Sequence, residues 1–201
     1  MTTINLTQYD IILCLDKSGS MSTKDCPGGK SRWDYAKEAT EALARKAEES
    51  DKDGLTIIPF SNSFTVYDGV TSDKVHQVFQ ENEPNGGTDT AKVLKHVLDG
   101  YISKKPNVKP IIVLCITDGE PNDKAKLAEV ITDAANKIDA DEEIGIQFIQ
   151  VGQDSQATAF LKSLDDDLTS HGAKFDIVDT MTIDEMENKS LVAVLIEAIT
   201  D

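Results

Sequence analysis

Six short stretches of the chain are apolar nearly throughout, at residues 9–15, 55–60, 64–67, 111–116, 144–151 and 175–178. Such runs, rich in β-branched residues, predict strands, and the most apolar of them read as strands buried on both faces. Between them apolar residues recur at intervals of three and four, which predicts helices over 32–50, 73–80, 89–104, 123–138, 155–170 and 184–200. Ser31 reads as the cap of the first helix and Ser72 as that of the second. The turn Ser61-Asn62-Ser63 predicts that the 64–67 strand folds back as a short antiparallel edge. Strands otherwise alternate with helices. That alternation predicts an α/β fold: a doubly wound, Rossmann-like, mostly parallel sheet with helices on both faces. No linker, repeat or low-complexity stretch divides residues 1–201, so a single domain is expected.

Composition narrows the partners. The 201 residues are 39% hydrophobic and 28% charged, with a net charge of −16. A chain this acidic repels phosphate backbones and anionic bilayers, so neither nucleic acid nor membrane is expected as a partner. No apolar run reaches the ~20 residues of a membrane span. The N-terminal segment lacks a basic stretch followed by an apolar one, so no secretory signal is expected. Cys14 and Cys115 fall in strands and Cys26 in a polar loop, which is neither a disulfide framework nor a zinc spacing. Free thiols in a reducing cytoplasm are the expectation.

Chemistry concentrates where two strands end. The 9–15 strand runs directly into Asp16-Lys17-Ser18-Gly19-Ser20. In extended backbone, residues two apart point the same way, so Asp16, Ser18 and Ser20 can converge. One carboxylate and two hydroxyls are hard oxygen ligands of the kind Mg²⁺ prefers. The same residues would also serve a strand-to-helix turn with capping serines. The 111–116 strand repeats the pattern and delivers Thr117-Asp118-Gly119. Between them, Gly86-Gly87-Thr88-Asp89 marks a tight loop before a helix. Ligands of doubly wound sheets bind at the carboxyl ends of strands where strand order reverses. If the strands before Asp16 and Asp118 are neighbours, these segments share one crevice.

With these residues the sequence resembles the von Willebrand factor A domain family. The match is to its metal-ion-dependent adhesion site, an Asp-x-Ser-x-Ser motif with a distant Thr and a distant Asp. The resemblance implies that Asp16, Ser18, Ser20, Thr88 and Asp118 hold a divalent cation, Mg²⁺ first and Mn²⁺ or Ca²⁺ as alternatives. It further implies a protein-binding module whose partner supplies a Glu or Asp carboxylate to the metal. The chain looks most like small stand-alone bacterial members, cytoplasmic and monomeric on their own. Hydroxyl and water ligands leave much of the ion's charge uncancelled, which suits reversible capture of an external carboxylate.

Two other functions are open to the motif. One is a hydrolase or phosphoryl-transfer enzyme using Asp16 and a metal. Against it, no His, Cys or Lys is placed by the motifs as a general acid or base, and no phosphate-binding glycine loop is present. A non-enzymatic role is therefore expected. The other is a regulatory subunit of an ATPase or stress-response complex, which is compatible with protein binding. Asp89 reads as a helix-start acid, Glu120 and Asp123 as solvated neighbours. Lys17, Lys24, Lys30 and Arg32 either attract an acidic partner or offset local carboxylates. Trp33 reads as packing, and His76 and His96 receive no role.

Overall fold

The computed structural model describes residues 6–50 and 54–200. Six strands form one sheet: β1 (Asp10–Asp16), β2 (Leu55–Phe60), β3 (Tyr67–Val70), β4 (Ile111–Thr117), β5 (Ile144–Gln150) and β6 (Val178–Thr182). Their order is β3-β2-β1-β4-β5-β6. Every pairing is parallel except β2 with β3, the antiparallel edge. Among the described residues seven α-helices cover it: α1 (Arg32–Ser50), α2 (Val75–Glu81), α3 (Thr90–Ile102), α4 (Lys124–Ala135), α5 (Ser155–Asp167), α6 (Ile183–Glu187) and α7 (Leu191–Glu197).

Alternation along the strands divides the interior into two cores. Leu13, Leu15, Ile112, Leu114 and Ile116 pack with α1, α2, α6 and α7 on one face. Cys14, Val113, Cys115, Ile146 and Phe148 pack with α3, α4 and α5 on the other. β4 and β5 are buried along their whole length, which explains the apolar run of β4 and, apart from Gln147 and Gln150, that of β5. Among the described residues no helix is long and apolar enough to cross a membrane.

The expected fold class is the one observed, with four differences in its elements. The edge strand lies at Tyr67–Val70, beyond the expected 64–67. Phe64 makes only an isolated bridge to Phe60, in the same register as Tyr67 on Ile57, and the ladder's one register shift lies further on, between Leu55 and Ile57. Ser72 does not cap α2. Its N–H and hydroxyl are spent on the Glu48 carboxylate, at 2.7 and 2.9 Å, and the helix starts after Lys74. The last strand is Val178–Thr182, displaced from 175–178. The single helix expected over 184–200 is two, because Asn188 closes α6 and Ser190 caps α7 through a bond from the Ala193 N–H. Ser31 does cap α1, accepting from the Asp34 N–H at 3.0 Å. The expectation for the N-terminal five residues, and for the side chain of Leu191, lies outside the described residues.

Candidate metal centre

The sheet order places β1 beside β4, in register from Asp10 opposite Ile111 to Leu15 opposite Ile116. Strand order reverses here, β2 lying beyond β1 and β5 beyond β4. The loops after β1 and β4 therefore open one crevice at the strands' C-terminal ends. Asp16 has the parity of Cys14, and Thr117 that of Cys115, so both side chains point to the α3 face. Thr117 donates its hydroxyl to Asp16 Oδ2 at 2.7 Å.

The first loop builds the rest. Asp16 Oδ1 accepts the Ser18 N–H at 2.7 Å, which folds the chain back over the carboxylate. Ser18 Oγ lies 3.0 Å from Ser20 Oγ, and Ser20 donates to Asp118 Oδ1 at 2.8 Å. Asp16, Ser18, Ser20 and Asp118 thus form a continuous polar cluster. Asp16, Ser18 and Asp118 are almost wholly buried, and Ser20 is exposed at the rim.

Thr88 arrives on a third loop that is stitched to the first. The Asn85 N–H bonds to Lys17 O at 2.7 Å and the Gly19 N–H to Gly86 O at 3.1 Å. Asn122 clamps the Thr88 backbone from both sides, accepting its N–H at 3.0 Å and donating to its carbonyl at 2.8 Å. A Cβ at position 87 would stand 2.8 Å from Asn62 Oδ1 and 2.9 Å from Asn122 Oδ1, so this approach needs glycine. Thr88 is buried at the start of α3. No direct bond joins it to the Asp16–Asp118 cluster. The loop bonds bring it to the same crevice.

The electrostatics favour a cation. Burial pushes the Asp16 carboxyl up to about 6, against the hydrogen bonds from Thr117 and Ser18, and the Asp118 charge adds to the rise. A positive ion beside Asp16 would offset that cost. The donor set is oxygen only: two carboxylates and two serine hydroxyls in the cluster, with Thr88 on the adjoining loop. Among the described residues no group of three or more His, Cys, Asp and Glu gathers as a metal site. Few charges and several hydroxyls fit a hard divalent ion that keeps water, and fit a zinc-type cage poorly.

Of the basic residues in the first loop, Arg32 reaches the site. It donates through Nη1 to Asp118 Oδ2 at 2.9 Å and holds Asp25 through Nε and Nη2. Lys30 pairs with Glu38 outside the crevice. The other acids take local roles: Asp89 caps α3 through the Lys92 N–H, Asp123 caps α4 through the Lys126 N–H, and Glu120 pairs with Lys124. Trp33 packs on Phe79, ring centres 4.5 Å apart. His96 rests on Phe64, and His76 meets Lys37. All three cysteines are free and buried, including Cys26, which an antiparallel bridge to Lys30 folds inward. Sequence reasoning left three contributors without a role in the site: Thr117, Asn122 and Asn62. Thr117 is set against Asp16 by the register of β1 on β4, which no local pattern encodes. The two asparagines carried no signal either, since loop docking alone places them.

Comparison with known proteins agrees with this geometry. The family model described as von Willebrand factor type A domain matches residues 11–120. No curated protein matches the chain. Among solved structures, the SpRpn10 VWA domain is similar at TM-score 0.65 and 12% identity, over 91% of this chain and 96% of that one. Manganese-loaded TRAP protein from Plasmodium vivax is similar at TM-score 0.62 and 18% identity, over 94% of this chain and 73% of that one. A D319A mutant of the PilB minor pilin from Streptococcus sanguinis is similar at 0.60 and 13% identity, over 98% of this chain. The chain spans 62% of that pilin's length. At these identities the likeness is one of fold.

Proposed function

Because the chain belongs to the von Willebrand factor type A domain family, whose members are typically protein-interaction modules, we propose that it binds a partner protein through a divalent cation. Asp16, Ser18, Ser20, Thr88 and Asp118 would hold the ion, Mg²⁺ in the first instance, with Mn²⁺ or Ca²⁺ as substitutes. When bound, the ion supplies an electrophilic position that a Glu or Asp carboxylate of the partner can fill.

The observation that carries this reading is the run of contacts Ser18–Ser20–Asp118 beside the buried Asp16 carboxylate. It assembles hydroxyl and carboxylate oxygens from two loops at a switch point, with Ser20 open to solvent. Asp16 and Thr117 hold the base of the crevice, and Asn122 holds Thr88 in place. The manganese-loaded state of the TRAP relative supports a divalent ion in this fold.

The enzymatic alternative is weaker on geometry. Both oxygens of Asp16 accept hydrogen bonds, from Ser18 and from Thr117, and its side chain is fully buried. A substrate group large enough to be attacked cannot reach a fully buried carboxylate, whereas a small ion held partly through water can be served by it. The net charge of −16 disfavours nucleic acid and anionic membranes as partners. We further propose that the protein works in a reducing cytoplasm, where free thiols persist, and is a monomer until it meets its partner. Service as a regulatory subunit would use the same site.

Titration calorimetry with Mg²⁺ and Mn²⁺ tests the proposal. One site per chain is expected, lost in Asp16→Ala and in Asp118→Ala while circular dichroism stays native. Equal binding by wild type and both variants would sink the assignment.

A further inference from the structure

Arg32 is the first residue of α1, and its backbone N–H is tied to Thr23 O at 2.9 Å. Its guanidinium is fixed on three sides. It lies against Gly152, where a Cβ would stand 2.7 Å from Nε, so no side chain could share that place. Nε and Nη2 hold Asp25 at 3.0 and 2.6 Å, a two-pronged grip on a carboxylate 39% exposed. Nη1 holds Asp118 Oδ2 at 2.9 Å, on a carboxylate whose side chain is fully buried. The other Asp118 oxygen is taken by Ser20.

We propose that Arg32 is a resident counter-ion that sets the affinity of the site for its divalent cation, with Asp25 as the partner that retains Arg32 when the cation arrives. The inference rests on the metal-binding reading above. Without a divalent ion, a buried Asp118 beside a buried Asp16 would leave two carboxylates uncompensated, and Arg32 offsets one of them. With the ion present, a fixed positive charge at Asp118 repels it and competes for the same oxygen. Arg32 can yield Oδ2 at little cost, because its two-pronged bond to Asp25 keeps its charge paired. The site then holds the ion more weakly than its carboxylates alone would. The protein stays folded while the ion exchanges.

The test compares wild type, Arg32→Gln, Arg32→Lys and Asp25→Asn by Mn²⁺ calorimetry and by melting in EDTA. Glutamine keeps a hydrogen-bond donor but removes the charge. Arg32→Gln is expected to bind Mn²⁺ about tenfold more tightly, since one repelling charge a few ångströms away is gone. Its EDTA melting temperature falls, and saturating Mn²⁺ restores it. Arg32→Lys keeps the charge but loses the two-pronged grip on Asp25, so it does not gain the tighter binding of Arg32→Gln, and a tenfold gain in it would overturn the role of the charge. Asp25→Asn, which leaves Arg32 to Asp118 alone, binds Mn²⁺ more weakly, and it decides the matter should Arg32→Gln not fold. Unchanged or weaker binding in a folded Arg32→Gln, or unchanged or tighter binding in Asp25→Asn, overturns the role of Arg32 and leaves the metal site standing. Absence of Mn²⁺ binding in both wild type and Arg32→Gln overturns the metal site as well. Binding by Arg32→Gln alone supports the competition in its strongest form.

Discussion

Ser20 donates its hydroxyl to Asp118 Oδ1 at 2.8 Å, joining two residues 98 positions apart. One stands at the solvent rim and the other at the floor of the crevice. The contact defines how far the two loops are separated, and so the span that a cation would bridge. Ser20→Ala should weaken Mn²⁺ binding by on the order of tenfold through the loss of one hydroxyl ligand. Because Ser20 donates to a buried carboxylate, the fold should lose about 1–3 kcal/mol. Calorimetry paired with thermal melts checks both. Unaltered Mn²⁺ affinity would remove Ser20 from the site.

Gly145 of β5 meets the end of α7. A Cβ there would fall 2.1 Å from Ala198 O and 2.6 Å from Ile199 Cγ2. The obstacle includes backbone, so it cannot be relieved by a rotamer change. Gly145→Ala should destabilise by about 2–3 kcal/mol, as overpacked cores do, chiefly by lifting the last helix. Urea denaturation reads the loss, and a variant as stable as wild type would contradict this packing.

Gln147, also on β5, is fully buried, and neither of its amide atoms has a hydrogen-bond partner among the described residues. Its neighbours across the two ladders are Leu114 and Asp179, and the next residue on its face is Ile149. Burying an unpaired amide costs on the order of 1–3 kcal/mol. Gln147→Met, similar in volume and apolar, should therefore raise stability by about 1–2 kcal/mol. A lower melting temperature in this variant would mean that the amide is satisfied in solution.

Glu143 gives the fold a pH-dependent component remote from the site. Burial pushes its carboxyl up, but Lys105, Tyr101 and the N–H groups of Asp139 and Ala140 outweigh that and hold it at about 2. Lys105 Nζ and Tyr101 Oη each stand 2.8 Å from Oε2. Glu143 therefore ionises at lower pH in the folded chain than in the unfolded one. Its stabilisation is complete above its ordinary value of 4.5 and is lost as pH falls toward 2. Allowing for solvent screening at this part-exposed position, Glu143→Gln should cost about 1–2 kcal/mol at pH 7. The gap from wild type should close as pH falls from 4.5 toward 2. Parallel denaturation curves at both ends of that range would refute it.

The sequence by itself determined the layered fold and the residues that compose the crevice. Period-two and period-three-to-four patterns report burial directly, because a strand or helix that buries a face must repeat at its own geometry. The abrupt change from apolar strand to Asp16-Lys17-Ser18-Gly19-Ser20, and again to Thr117-Asp118-Gly119, marked both ends of the switch point before any coordinate. Tertiary structure decided what no local pattern encodes. The register of β1 on β4 sets Thr117 under Asp16. The docking of three loops brings Asn122 to Thr88 and Arg32 to Asp118. Local chemistry also overrode helix propensity near the C-terminus, where the Ser190 cap divides the expected final helix. Arg32 shows the division most plainly. Its partner Asp25 lies seven positions away and within reach of a local reading, but Asp118 lies 86 positions away, and that pairing follows from how elements pack.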